Sequence, residues 1–324
     1  MASTLKEIKA PIKEELKKFE DFFKQSMKSN VALLDKITYY IVQRKGKQMR
    51  PMFVFLSAKL CGEINHGTYV AASLVELVHT ASLVHDDVVD DSAERRGFFS
   101  INALWKNKIA VIVGDFLLTQ GLHIALEHKK YRMLHILSDS VKKLAEGELL
   151  QLEKARKLDI DEAVYYEIIR QKTASLISSA CCVGAASSSE DEAKIELLGK
   201  IGEKIGMAFQ IKDDLFDYGT ANIGKPRGID IKEQKMTLPL IYALSKADRS
   251  KKRSIINTIK KDSTNPSKVK EIIDYVHSSG GIEYTTAVMY RYQKEAIDLL
   301  HQFPKSEARA SIEELIKYVT SRTK

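Results

Sequence analysis

"LVHDDVVDDSAERRG", residues 83–97, decides how this chain is read. Four aspartates fall within six residues, directly behind an apolar run, and two arginines follow. Carboxylates in an apolar run are costly to desolvate unless they are paired or bind a cation. On a helix, Asp86 and Asp90 lie about 40° apart and about 5.4 Å along the axis, with Asp87 adjoining Asp90. Asp91 falls further round and reads as a supporting or solvent group. A second copy, "QIKDDLFDYG" at 210–219, repeats the DDxxD spacing with Asp213, Asp214 and Asp217, 127 residues downstream. A single such cluster is most simply an exposed acidic helix end. Two with the same spacing, each ending a different apolar helix, read as two walls of one cavity. Clustered carboxylates raise one another's pKa values unless a cation joins them. Mg²⁺ resolves this, taking one or two carboxylates per ion and completing its shell with water and substrate phosphate.

The residues around the acids are helical. No proline occurs in the 174 residues between Pro51 and Pro226. Apolar residues there recur at i, i+3, i+4 and i+7, with no convincing alternation of the strand kind. "YVAASLVELVHTASLV" (69–84) is apolar nearly all round and predicts a central buried helix. "IAVIVGDFLLTQGLHIAL", "MLHILSDSVKKLAEGELLQLE" and "AVYYEIIRQKTASLISSACCVGAA" each predict one continuous helix. Pro51 and Pro239 fit first helical turns. Breaks fall at "CGEINHG", "RRGFFS", "SSSEDE", "DYGTANIGKPRGID" and "DSTNPS", none long enough to link domains. The expectation is a single all-α domain over residues 1–324, a bundle of ten or more helices.

Composition narrows the chemistry. The formal net charge is +8 and the pI about 9.1, which suits anionic lipid, nucleic acid or phosphorylated small substrates. No aromatic-interleaved basic patch is evident, so no nucleic acid partner is expected. The three cysteines Cys61, Cys181 and Cys182 give neither a disulfide framework nor a zinc spacing. Buried thiols in a reducing, cytoplasmic compartment are expected. No secretory h-region opens the chain and no run of 18 uncharged apolar residues occurs, so surface contact with a membrane is conceivable but a span is not expected.

Cations gather near the acids in sequence. Arg95 and Arg96 follow the first cluster. Lys47 and Arg50 lie in "RKGKQMRP", Lys172 and Thr173 in "RQKTASL", and Lys225 in "IGKPRG". Guanidinium forks and lysine ammonium groups match phosphate oxygens. His79 lies seven residues before Asp86, on the same face two turns below. Neither GxGxxG nor GxxxxGK[ST] is present, nor a nucleophile elbow. The site reads as one for a polyphosphate carried on something apolar.

These residues resemble the trans-polyprenyl diphosphate synthase family, in a long-chain, octaprenyl diphosphate synthase-like form. "LVHDDVVDDSAERRG" and "QIKDDLFDYG" resemble its two aspartate-rich motifs, "GKQMRP" its isopentenyl diphosphate segment, and "QKTASL" and "GKPRGIDIKEQKMTLPLI" its remaining signatures. Lys45 and Gln234 stand where glycines are usual, and neither departure removes a charged ligand. The resemblance implies the isoprenoid synthase fold, packed helices around a deep central cavity, and a homodimer. It implies that Asp86, Asp87 and Asp90, with Asp213, Asp214 and Asp217, hold about three Mg²⁺ ions on the diphosphates. Arg95, Lys172 and Lys225 would contact the allylic diphosphate, with Lys235 a further diphosphate ligand. Lys47, Arg50, His79 and Arg96 would hold isopentenyl diphosphate, and Thr173 and Gln210 would border the reacting carbons.

The implied reaction is head-to-tail condensation of isopentenyl diphosphate onto an allylic primer, with peripheral membrane contact for product release. Product would grow down a tunnel beside the first motif. One helical turn of about 5.4 Å approximates one extended isoprene unit. Ser82 and, beside it, Ala81 are small where short-chain members carry bulk, which predicts an open passage and a product of roughly C30 to C45, best octaprenyl. Phe116, Met133, Leu134 and Leu137 are candidates for the floor. The alternatives are a short-chain farnesyl or geranylgeranyl diphosphate synthase, a terpene cyclase or head-to-head enzyme, a non-catalytic subunit of a heteromeric synthase, and an acidic cation-binding structural protein. The isopentenyl-site residues argue against a cyclase, and the whole aspartate clusters against a silent subunit.

Overall fold

Capping chemistry sets the boundaries of the long helices. Asn65, Ser100, Asp161 and Asp191 each accept a backbone N–H of the first turn that follows. The computed structural model describes residues 4–44, 46–95, 97–158, 160–219 and 228–322. Arg96 and Lys225, both expected to touch diphosphate, and Lys45 lie outside the described residues. The order is α1 (Leu5–Ile8), a 3₁₀ turn at Ala10–Ile12, α2 (Lys13–Ser26), α3 (Ala32–Gln43), α4 (Met49–Cys61), α5 (His66–Val89), β1 (Glu94–Arg95), β2 (Phe98–Phe99), α6 (Ile101–Glu127), α7 (Tyr131–Lys157), α8 (Glu162–Ile169), a π segment (Arg170–Ala174), α9 (Ser175–Ser188), α10 (Glu192–Tyr218), α11 (Ile229–Lys232), α12 (Leu238–Lys246), α13 (Arg249–Asp262), α14 (Pro266–Ser278), α15 (Gly281–Leu300) and α16 (Glu307–Ser321).

The chain is mostly helical, as its periodicity predicts. α5 is the buried central helix: Val70, Ala71, Ala72, Leu74, Val75 and Leu77 are fully buried, which explains a sequence apolar on every side. α6 runs along α5, α4 and α9 also pack against it, and α10 packs on α9 and α15. α10 passes through two core clusters, giving Ile195, Leu198, Ile201 and Ile205 to one and Met207, Ala208 and Ile211 to the other. α5 and α6 are both long and apolar enough to cross a membrane by length and composition. Most of that stretch of α5 is buried inside the protein, whereas much of α6 is left open.

Two features depart from the expected all-helical reading. The residues after the first acid motif form a short antiparallel hairpin, Glu94 opposite Phe99 and Arg95 opposite Phe98, with Gly97 at φ 77° in its turn. Two-residue strands are too short to leave an alternating pattern. The helix expected to continue over 163–186 is interrupted by the π segment Arg170–Ala174. An extra residue in one turn leaves the apolar periodicity on either side nearly intact, so the sequence hides it.

Candidate active site

α5 and α10 carry the two acid motifs at their C-terminal ends. On α5, Asp86 is half-buried and Asp90 is exposed at the C-cap. Asp87 is the buried one of the three. It is 4% exposed, and both Nε and Nη2 of Arg95 reach its Oδ1 at 2.7 Å. The β1–β2 hairpin delivers that arginine by folding back over the end of α5, where Asn102 also donates to the Asp87 carbonyl.

On α10, Asp213 is the accessible acid, with Nη2 of Arg322 2.6 Å from its Oδ1. Asp214 is buried; it accepts from the Tyr165 hydroxyl at 2.6 Å and from Gln210 Nε2 at 2.9 Å. Asp217 accepts the backbone N–H groups of Ile229 (2.8 Å) and Asp230 (3.2 Å), and so caps α11. The six aspartates therefore do not act alike. Both oxygens of Asp214 accept from protein donors, and Asp87 meets Arg95 through Oδ1, because a buried carboxylate is costly without charge or hydrogen bonds. Asp86 and Asp90 accept no side-chain hydrogen bond from the described residues, and with Asp213 they are the acids placed to meet a cation.

Lys235 lies near acids of both α5 and α11. Its ammonium pairs with Glu233 at 2.5 Å and lies in the field of both Asp230 and Asp90. Burial alone would depress its pKa; those three carboxylates outweigh burial and raise it. The acids around it are short of positive charge. Burial, then Glu148, lifts Asp86 to about 6, against the pull of Lys172 and Arg95. Burial, then Asp230, lifts Asp214 well above the usual carboxylate range. Asp217 is also raised by burial, in spite of its backbone donors.

That donor set fits a hard divalent cation: it is all oxygen, anionic and under-neutralised. Among the described residues no three His, Cys, Asp or Glu side chains converge closely enough to chelate one ion alone. An ion here would take one or two carboxylates and be completed by phosphate oxygens and water.

Behind the second wall a cavity of about 610 Å³ gathers Lys47, Arg50, His79, Gln210, Asp213, Asp214 and Asp217. The same cavity is lined by Asp230, Tyr318 and Arg322, which the sequence reading missed. Asp230 lies 13 residues past Asp217 and outside the DDxxD spacing. Arg322 comes from the far end of the chain and stacks 4.0 Å from the Phe209 ring. No local pattern links either to the motifs.

The π segment positions the remaining polar groups. Lys172 meets both oxygens of Glu148 on α7 at 2.8 Å. Thr173 donates to Gln210 Oε1 at 2.8 Å. Gly206 makes that contact available: a Cβ there would lie 2.4 Å from Ala174 Cα, so only glycine lets α10 come this close, one turn before Gln210. A polar chain results, Thr173 to Gln210 to Asp214, closed by Tyr165.

Ser82 lies one turn beneath Asp86, its hydroxyl returned to the His79 carbonyl. Ala81 is not beside it on that face. It is about 140° round the helix from Asp86, 3% exposed, in a cluster with Val113 and Leu117 of α6. Further down α5, Val78 and Val75 share a cluster with the buried Met133 and Leu137 of α7, and Leu134 packs on its edge. Phe116 packs with Ala81's cluster instead.

The comparisons with known proteins agree with this geometry. The polyprenyl synthetase family model matches residues 31–276. The chain belongs to the polyprenyl synthetase family. An all-trans-nonaprenyl-diphosphate synthase (geranyl-diphosphate specific) of Rhodobacter capsulatus is 34% identical, over 98% of this chain and 97% of that protein. Heptaprenyl diphosphate synthase component 2 of Bacillus subtilis (strain 168) is 33% identical, over 96% and 89%. A solved polyprenyl synthase from Caulobacter crescentus CB15, complexed with calcium and isoprenyl diphosphate, has a TM-score of 0.92 and 32% identity, covering 99% of both chains. The polyprenyl synthetase reading makes this chain a trans-prenyl diphosphate synthase and hence a prenyltransferase.

Proposed function

We infer that this enzyme adds isopentenyl diphosphate head-to-tail to an allylic diphosphate, with Mg²⁺, to give a long all-trans chain. The observation that carries this reading is the cavity in which the second acid motif, Asp213, Asp214 and Asp217, faces Lys47, Arg50 and His79. Asp86 and Asp90 on one wall, with Asp87 through its second oxygen, and Asp213 on the other, would hold the metal; Asp214 keeps Gln210 in place and Asp217 caps α11. Bound Mg²⁺, about three ions by the family resemblance, would supply positive charge against the departing diphosphate. Lys172, released from Glu148, and Arg95 reinforce that charge. Lys47, Arg50 and His79 hold the isopentenyl diphosphate, so that its double bond meets the allylic carbon as the C–O bond breaks. Thr173 and Gln210 border that carbon with oxygen dipoles. The proton lost from the new chain leaves with the released diphosphate, and the apolar wall below Asp86 keeps water from the cation.

Product length follows from the passage under Asp86. Ser82 leaves it open, and Val75, Val78, Met133 and Leu137 are the apolar groups deeper down. With a nonaprenyl and a heptaprenyl synthase as relatives, the reading is roughly C30 to C45, best octaprenyl. A homodimer is proposed from α6, whose outer face exposes Leu104, Val111, Ile112 and Leu126. The three free thiols, all with pKa pushed up by burial, suit a reducing cytoplasm.

The test is incubation of the purified chain with isopentenyl diphosphate, Mg²⁺ and geranyl, farnesyl or geranylgeranyl diphosphate, with product sizing. Elongation to C30–C45 is expected. No elongation by the chain alone rejects the reading in favour of a subunit that needs a partner.

A further inference from the structure

Most of the chain's excess charge sits in one place. Between Lys246 and Lys261 there are seven cations, Lys246, Arg249, Lys251, Lys252, Arg253, Lys260 and Lys261, against the single carboxylate of Asp248. With Asp262 at the end of α13 counted, residues 246–262 carry a net +5 of the chain's formal +8. All seven are exposed. Asp248 is spent on capping α13 through the Lys251 N–H. Among the described residues none of the seven makes an ion pair; Lys246 and Lys251 lie over the Tyr242 and Tyr275 rings.

Several exposed lysines on other helices are neutralised locally. Lys143 pairs with Asp139 on α7, Lys200 with Glu196 on α10, and Lys270 with Asp274 on α14. Such i, i+4 partners neutralise a helix face. α13 has none, so its positive field is left standing.

The inner side of α13 fixes where that field points. Ile255 and Ile259 are buried in the cluster that holds Ile231 of α11. The Ser263 hydroxyl, at the C-cap of α13, donates to the Lys232 carbonyl at 3.3 Å. α11 is the short helix capped by Asp217, and its Asp230 lines the cavity. The basic face is therefore attached to the rim of the active site. None of the seven cations lines the cavity itself, so they are not placed to grip a bound diphosphate. Nor does α13 expose a large apolar side chain that could insert into a bilayer.

We propose that the outer face of α13 docks the enzyme on an anionic membrane surface by charge alone, holding the mouth of the active site at headgroup level. A basic segment of this density is attracted to anionic lipid within about a Debye length, roughly 10 Å. The reading of the product as a long lipid diphosphate gives the docking its purpose, but vesicle binding is measured without turnover, so the two stand or fall separately.

The experiment is cosedimentation of the full chain with phosphatidylcholine vesicles, with and without phosphatidylglycerol, at low salt and at about 0.5 M salt. The wild type is expected to bind only the anionic vesicles and to be released by salt. Replacing Lys252, Arg253, Lys260 and Lys261 by Gln is expected to weaken binding tenfold or more. A control replacing Lys142, Lys143, Lys194 and Lys200 by Gln makes the same change in net charge and is expected to bind like the wild type. Equal losses in both variants would assign binding to net charge and overturn the proposal, as would binding indifferent to anionic lipid or to salt. A patch variant that binds vesicles normally, but shows a raised KM for the allylic diphosphate, would assign α13 to steering soluble substrate and overturn it as well.

Discussion

Asp86 and Asp214 are the same side chain put to different uses, and burial is what they share. Asp214 has two neutral donors and stays inside; Asp86 has none and faces Glu148. Because the folded pKa of Asp86 is about 6 against an ordinary 3.8, the folded state holds its proton longer than the unfolded chain. Stability is thus unaffected by this group at low pH, falls as pH rises between those two values, and carries the full penalty above them. In EDTA, Asp86→Asn is expected to melt with the wild type near pH 4 and increasingly above it toward about pH 7; a gap that closes as pH rises would contradict the burial argument. The same variant should lose activity by roughly 10²–10³, the scale of removing one charge-stabilising group, whereas Asp91→Asn, exposed and outside the row, should stay within about twofold. Tyr165→Phe probes the anchor. It strips a donor from a buried carboxylate, so a loss of about 1–3 kcal/mol in stability is expected, with kcat lowered more than KM because Gln210 loses its fixed partner.

At the scale of elements, the interruption of one helix and the close approach of another build the reacting end of the site. Gly206→Ala puts a Cβ 2.4 Å from Ala174 Cα. α10 must then move away from the π segment, which should cost about 1–3 kcal/mol in thermal unfolding and separate Thr173 from Gln210. Activity that survives intact would mean the Thr173–Gln210 contact is dispensable. The passage under Asp86 gives a paired prediction. Ser82→Phe is expected to shorten the product by several isoprene units, and Leu137→Ala to lengthen it, both read by chromatography of the dephosphorylated chains; lengths unchanged in both would remove α5 and α7 as its walls. These elements also mark how far the sequence could be read. The two DDxxD motifs were legible because side chains one turn apart must share a helix face, and the apolar run before Asp86 announced a buried α5. The division of labour among the acids was not, since it depends on Tyr165, Arg95 and the α11 amides, each supplied by another element. The π segment left no trace because its neighbours keep helical spacing. Ala81 was misplaced beside Ser82 because adjacent helical residues are about 100° apart and face different neighbours. Asp230 and Arg322 join the cavity only through long-range packing.

At the scale of the whole molecule, α6 leaves a face open among the described residues. Its inner side fills the core through Val113, Leu117 and Ile124, while Leu104, Val111, Ile112 and Leu126 stand 42–55% exposed on the other. Exposed Lys108, Asp115 and Thr119 share that face, so only the apolar part of this stripe is costly to leave in water, at about 25 cal/mol per Å². It also has the length a self-complementary interface needs. In a twofold dimer each residue of the stripe appears twice about the axis, so one substitution introduces two charges into the same apolar contact. Ile112→Lys is therefore expected to halve the mass seen by light scattering, from twice 36.6 kDa to 36.6 kDa, at concentrations where the wild type stays paired. A wild type that already runs at 36.6 kDa would leave α6 to a chain of a different kind. In that case elongation should appear only when that second chain is added.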